Sequence, residues 1–117
     1  MLARPPMQIV RSVVIDCHVE DAFDYIADPH NDREWRRGRH TALTCLDSQR
    51  PHRIAWHWET DGDTVEVSFA LEPVWTSTRV TVCQEHRRRR ARILRRALAI
   101  RDLDRRLEAL RRRLERR

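Results

Sequence analysis

The chain has 117 residues, a formal net charge of +6 and 36% charged residues, and all 24 of its basic residues are Arg. This length fits one globular domain and excludes two. The charge is divided: residues 1–86 carry nine Arg against 14 acidic residues, whereas 87–117 carry 15 Arg against four. An acidic body argues against nucleic-acid binding, whose basic footprint should lie on the folded part.

The longest apolar runs are a few residues, too short for a transmembrane helix. The first seven residues hold two prolines and no apolar stretch suited to a signal peptide. Cys17, Cys45 and Cys83 match no zinc spacing and no disulfide framework. They read as reduced thiols, which implies a cytoplasmic protein.

In chain order, 7–16 reads as a strand rich in Val and Ile. A helix follows: Val19, Ala22, Phe23 and Ile26 share one face, with Glu20, Asp21 and Asp24 in the first turns. Pro29 ends it. The stretch from His30 to Trp35 reads as a short helix or turn closed by Gly38, and 41–47 as a short strand.

Period-two alternation is clearest next. Ile54, Trp56 and Trp58 alternate with Arg53, Ala55, His57 and Glu59, before the hairpin signal Asp61-Gly62. Val65, Val67, Phe69 and Leu71 continue the pattern, then Val80 and Val82, with a turn over 73–77. This predicts an antiparallel meander with one buried and one wet face. His57 should stand on the wet face in a polar ladder with Glu66 and Arg79.

From His86 the period becomes helical. Ile93, Ala97, Ile100, Leu103, Leu107, Leu110 and Leu114 form one stripe, heptad-like from Ile100. Asp102–Arg106 and Glu108–Arg112 are acid-before-base pairs on an exposed face. As one helix, 86–117 is the only element able to cover the sheet. At about 46 Å over 87–117 it should overhang a body about 35 Å across. The overhanging 103–114 seam should then pack on a second protomer, giving a homodimer through the C-terminal helix. The basic-then-leucine order resembles a DNA-binding zipper, but the heptads are too few and the body too acidic.

The pieces SVVIDCHVEDAFDYIADPHNDREW (12–35), PHRIAWHW (51–58), LEPVWTSTRVTV (71–82) and RALAIRDLDRRLEALRRRLE (96–115) span nearly the whole chain. Their order resembles the SRPBCC, or START-like helix-grip, superfamily, in particular its polyketide cyclase-like branch. The resemblance implies a single α+β domain over 1–117, a short antiparallel sheet wrapped on a long C-terminal helix. The superfamily commonly has about seven strands; the room between Leu43 and Arg53 allows one strand and a turn, so a central hairpin is missing. The cavity should therefore be smaller or more open.

The resemblance also implies binding of a hydrophobic small molecule. Trp35, Trp56, Trp58, Val67, Phe69 and Val80 are the candidate ligand-binding residues. Trp56 and Trp58 have an equally simple reading as ordinary core, because large aromatics bury much area. Trp35 and Trp75 lie near loops, as a cavity gate, an interface anchor or a plug in the core. Cyclase relatives use an Arg and a Tyr or acid inside the cavity, which makes Asp24, Tyr25 and Arg37 catalytic candidates; His30 and His40, flanking Trp35–Gly38 at what resembles the cavity mouth, are candidate general acids or bases. Each of the two histidines also reads as an ordinary surface residue. Ring closure or dehydration requires a proton donor or acceptor and an oxyanion stabiliser. The inward strand positions are Ile, Trp, Val, Phe and Leu, so such groups must come from the first helices or a loop. The six histidines make no HxH or HxxxH pair, so no metal site is expected. No phosphate loop or dinucleotide fingerprint implies a cofactor. The alternatives to an enzyme are a non-catalytic lipid or metabolite carrier and an assembly module with a reduced pocket.

Overall fold

The computed structural model describes residues 7–28, 31, 43–60, 63–86 and 93–116. In chain order these form β1 (Met7–Ile15), α1 (Val19–Ala27), β2 (Leu43–Gln49), β3 (Arg53–Thr60), β4 (Asp63–Val74), β5 (Ser77–His86) and α2 (Ile93–Glu115). The strands make one five-stranded sheet in the order β1-β5-β4-β3-β2, with every neighbouring pair antiparallel.

Alternation fixes which side of the sheet is buried. Ile54, Trp56, Val65, Val67, Phe69, Leu71, Val80 and Val82 turn to the inner face and are buried. Ile9 and Ile15 continue that face onto β1. The outer face carries Arg53, Ala55, His57, Glu66, Ser68, Arg79 and Cys83. His57 stands opposite Glu66 as expected, but Glu66 stands opposite Glu85. Arg79 lies further along, opposite Glu72, and its Nη1 donates to Glu72 Oε1 at 2.9 Å. The hairpin between β4 and β5 sets this register, which alternation alone does not supply.

Among the described residues two helices cover the inner face, not one. Spacing in α1 buries Ala22, Phe23, Tyr25 and Ile26 against β3, β4 and β5. Glu20 and Asp21 sit in its first turn, where the helix dipole favours acids. The long helix α2 lies along β1 and touches α1. Its seam residues Leu103, Leu107, Leu110 and Leu114 are buried in the chain's own core. That corrects the expectation that 103–114 packs on a second protomer: the sheet already uses this stripe. With 23 residues, α2 is about 35 Å long, and it fits within the 48 Å long axis of the molecule.

Other boundaries also move. His86 is the last residue of β5, not the start of a helix, and the described helix begins at Ile93. Strand β4 continues through Pro73 to Val74, so the turn narrows to Trp75 and Thr76. Strand β2 runs to Gln49 and carries a bulge between Cys45 and Asp47. It is the single strand that the 43–53 interval was expected to hold. The Asp61-Gly62 turn, Pro29, Gly38 and the arginines at 87–90 lie outside the described residues.

Polar contacts fasten α2 to β1. Arg11 makes a two-pronged pair with Asp104, Nε to Oδ1 at 2.7 Å and Nη2 to Oδ2 at 2.8 Å. This hydrogen-bonded pair holds the Arg11 guanidinium above its ordinary value. Arg96 Nη1 donates to the Gln8 carbonyl at 2.8 Å, and the Asp16 N–H donates to Glu115 Oε2 at 3.0 Å. Along the helix, Asp102–Arg106 and Glu108–Arg112 pair at 2.9 and 3.4 Å, as their spacing predicts.

Candidate functional site: the gripped face of the sheet

The inner face consists of cross-strand rows fixed by register. One row runs Ile9, Gln84, Val67, Trp56 and Cys45 across β1, β5, β4, β3 and β2. The next row toward the sheet's end holds His86, Val65 and Trp58. Trp56 is 9% exposed and supplies the largest flat surface of the first row. Cys45, its neighbour on β2, is exposed, so the row opens toward solvent at the β2 edge. The described side chains do not include Trp58, whose backbone position alone is placed.

Gln84 is the polar residue of the first row. It is 7% exposed, with Ile9 on one side and Val67 on the other. Its Oε1 lies 3.4 Å from His86 Nε2, an N–H donor in the tautomer that protonates this nitrogen. Gln84 and Trp56 are two strands apart, about 10 Å, with Val67 between them. An aromatic wall and a primary amide thus share one face. The sequence contains the signal for Gln84, because it continues the inward parity of Val80 and Val82. Gln84 stands outside the expected inward set of Ile, Trp, Val, Phe and Leu. His86 was missed because it was assigned to the helix.

The predicted ligand wall is otherwise placed as expected. Val67, Phe69 and Val80 are buried on the inner face with Trp56. The predicted catalytic set is not brought together among the described residues. His30, Trp35, Arg37 and His40 lie outside them. Tyr25 is 2% exposed and sits in the core side of α1. Asp24 sits on the opposite, exposed side, where Arg50 Nε and Nη2 donate to its carboxylate at 2.8 and 3.0 Å. That hydrogen-bonded guanidinium holds the Asp24 carboxyl below its ordinary range. The one-turn geometry of α1 explains the split, because positions 24 and 25 are about 100° apart. Asp24 therefore points away from the gripped face.

The other buried polar side chain of the sheet, Thr78, is satisfied within the chain. The Thr78 hydroxyl is fully buried and donates to the Cys17 carbonyl at 2.8 Å. From the helix side, Arg106 is the most buried cation among the described ion pairs, with Nη2 2.9 Å from Asp102.

Two clefts open elsewhere on the surface. One, about 550 Å³, lies between Asp16, Cys17, His18, Asp21, Thr76 and Leu114, at the end nearest the β4–β5 turn. The other, about 260 Å³, is a depression on the outer face over Ala55, Ser68 and Cys83, rimmed by Asp47, Arg53 and Glu85. Neither includes Trp56 or Gln84. Trp75 is 98% exposed at the tip of the β4–β5 turn, with φ at 58°. It is therefore neither a plug in the core nor part of the gripped face. Among the described residues, no three His, Cys, Asp or Glu side chains stand together as for a metal ion. No described helix is long and apolar enough to cross a membrane.

No family model and no curated protein matches the chain. Solved structures do match it. A START superfamily protein from Mycobacterium smegmatis superposes with a TM-score of 0.78 at 13% identity, covering 93% of this chain and 97% of that one. The Aha1 dimer from Colwellia psychrerythraea gives 0.75 at 14% identity, over 93% and 96% of the two chains. DynU16, a protein of the dynemicin biosynthetic locus, gives 0.77 at 16% identity, over 92% of this chain and 47% of its own. At these identities the likeness concerns the fold. The chain has the START-like, or SRPBCC, helix-grip fold.

Proposed function

We propose that this chain binds a hydrophobic small molecule on the gripped face of the sheet, with Trp56 as the flat wall and Gln84 as the polar anchor. The observation that carries this reading is the buried amide of Gln84 in an otherwise apolar row. His86 partners its Oε1, and ligand pockets combine apolar walls with a few placed polar groups. Gln84 offers two N–H donors and a carbonyl acceptor, which suits a ligand carrying a carbonyl or hydroxyl. Val67, Phe69 and Val80 complete the apolar floor, with Trp35 and Trp58 as further proposed wall residues. A cytoplasmic setting, with three cysteines kept as thiols, fits this reading.

A second, finer reading is a polyketide cyclase-like enzyme of specialised metabolism, closing rings or removing water by acid–base catalysis. The position of His86 beside Gln84 supports it, since an imidazole can both give and take a proton. The origin of DynU16 in a biosynthetic locus points the same way. His30, His40 and Arg37 are proposed as further groups of that chemistry. One experiment separates the readings. A purified chain is incubated with aromatic poly-ketone analogues, and both bound ligand and products are measured. A carrier binds without turnover; an enzyme gives product, and His86→Ala lowers that rate about 100-fold while binding persists. Absence of binding to the parent chain contradicts both.

A further inference from the structure

We propose that β1 is a dimerisation edge: two copies of the chain pair their β1 strands antiparallel about Ser12, joining two five-stranded sheets into one of ten strands. Strand β1 lies at the end of the sheet and pairs on one side with β5. In an antiparallel ladder each residue turns its N–H and C=O to the same side, and successive residues alternate. The Gln8 carbonyl accepts from Arg96, and the Asp16 N–H donates to Glu115. The even-numbered residues therefore point to the open edge. Between these two capped groups lie the edge N–H and C=O groups of Val10, Ser12 and Val14, with no partner among the described residues.

Two exposed valines flank Ser12 on the outer face of this edge. Val10 is 54% exposed and Val14 47%, both on the outer face with Ser12 between them. Open edges are ordinarily blunted by charges, prolines or bulges, because bare strands recruit other chains. The opposite edge, β2, is blunted in this way, with a bulge beside Asp47. Strand β1 has no bulge, and its pairing with β5 is unbroken over nine residues.

The sequence of the edge identifies the partner as a second copy. A two-fold interface must be self-complementary. Centring it on Ser12 sets Val10 opposite Val14 of the second copy, and Val14 opposite its Val10. The same register sets Gln8 opposite Asp16, whose edge groups stay with Arg96 and Glu115 of their own chain. It also brings Arg96, held near Gln8, beside Glu115 of the second copy, held near Asp16, with opposite charges. No other single centre pairs the two exposed valines with each other.

The test uses a chain in which Cys17, Cys45 and Cys83 are replaced by Ala and Ser12→Cys is introduced. Residues facing each other on a two-fold strand pair lie within disulfide reach. We expect a disulfide-linked dimer to form under mild oxidation about 100-fold faster than for Ser48→Cys on the other edge. Ser12→Pro, which removes an N–H pointing away from β5, should make the chain monomeric by light scattering with its circular dichroism unchanged. Equal cross-linking rates for the two cysteine variants would overturn the proposal, even if Ser12→Pro fails to fold. So would a parent chain that stays monomeric at micromolar concentration, or a dimer that survives Ser12→Pro.

Discussion

Thr78 illustrates how single inward residues are selected. It is a polar residue on a buried strand position, and its hydroxyl satisfies the Cys17 carbonyl where the chain leaves β1 for α1. Thr78→Val keeps the shape but orphans that carbonyl, at a cost of about 1–3 kcal/mol, measurable by urea denaturation. Gln84 should behave differently. If its amide serves a ligand, Gln84→Leu leaves the melting temperature equal or higher while ligand affinity falls. A fall in stability with unchanged affinity would make Gln84 structural. Burial pushes the Cys17 thiol above its ordinary value, whereas Cys45 is exposed. A thiol reagent at neutral pH should therefore label Cys45 first and Cys17 last, because the thiolate is the reactive form.

The Asp24–Arg50 pair gives a pH dependence whose sign is fixed. The Asp24 pKa is depressed in the folded chain by the Arg50 hydrogen bonds. The pair's contribution is therefore present above the unfolded value of about 3.9, and it is lost as pH falls through the depressed folded value. Both side chains are more than half exposed, so solvent screening keeps the effect small. Asp24→Asn should lower the melting temperature slightly near neutrality, and the difference from the parent should vanish in strong acid. A difference that persists there would contradict an electrostatic origin.

Among the elements, α2 carries the largest redistribution of apolar surface. Its heptad spacing was legible, and so was its amphipathic face. Which surface that face would meet was not, since a leucine stripe serves a sheet or a second helix equally well. Leu110 is fully buried under the sheet's inner face, so Leu110→Ala should cost about 2–5 kcal/mol without changing the oligomeric state. A dimer that dissociates with little loss of stability would return the seam to an intermolecular role. The strands show the same limit. Alternation in β3, β4 and β5 placed Trp56, Val67 and Phe69 correctly, because period two is set by the backbone. It could not place Arg79 against Glu72, which depends on the turn at Trp75. A tryptophan at positive φ has no sequence signature, since such positions favour Gly or Asn. The coverage by α1 was underestimated for a simpler reason: nine residues carry four buried side chains.

For the whole molecule, charge was a poor guide to the site. The net +6 combines an acidic sheet body with an Arg-rich C-terminal stretch, and the gripped face between them is apolar. The five described strands leave the sheet open at the exposed Cys45 beside Trp56, where the proposed ligand, a flat one, would enter. The central claim is that such a ligand lies against Trp56. The direct measurement is a titration of the 15N-labelled chain with 2-naphthol, following the indole N–H signals assigned by Trp→Phe variants. The account predicts a saturable shift of the Trp56 signal, weakened by Gln84→Leu, while the signal of solvent-exposed Trp75 stays in place. No saturable shift at Trp56, or a shift confined to Trp75, would contradict it.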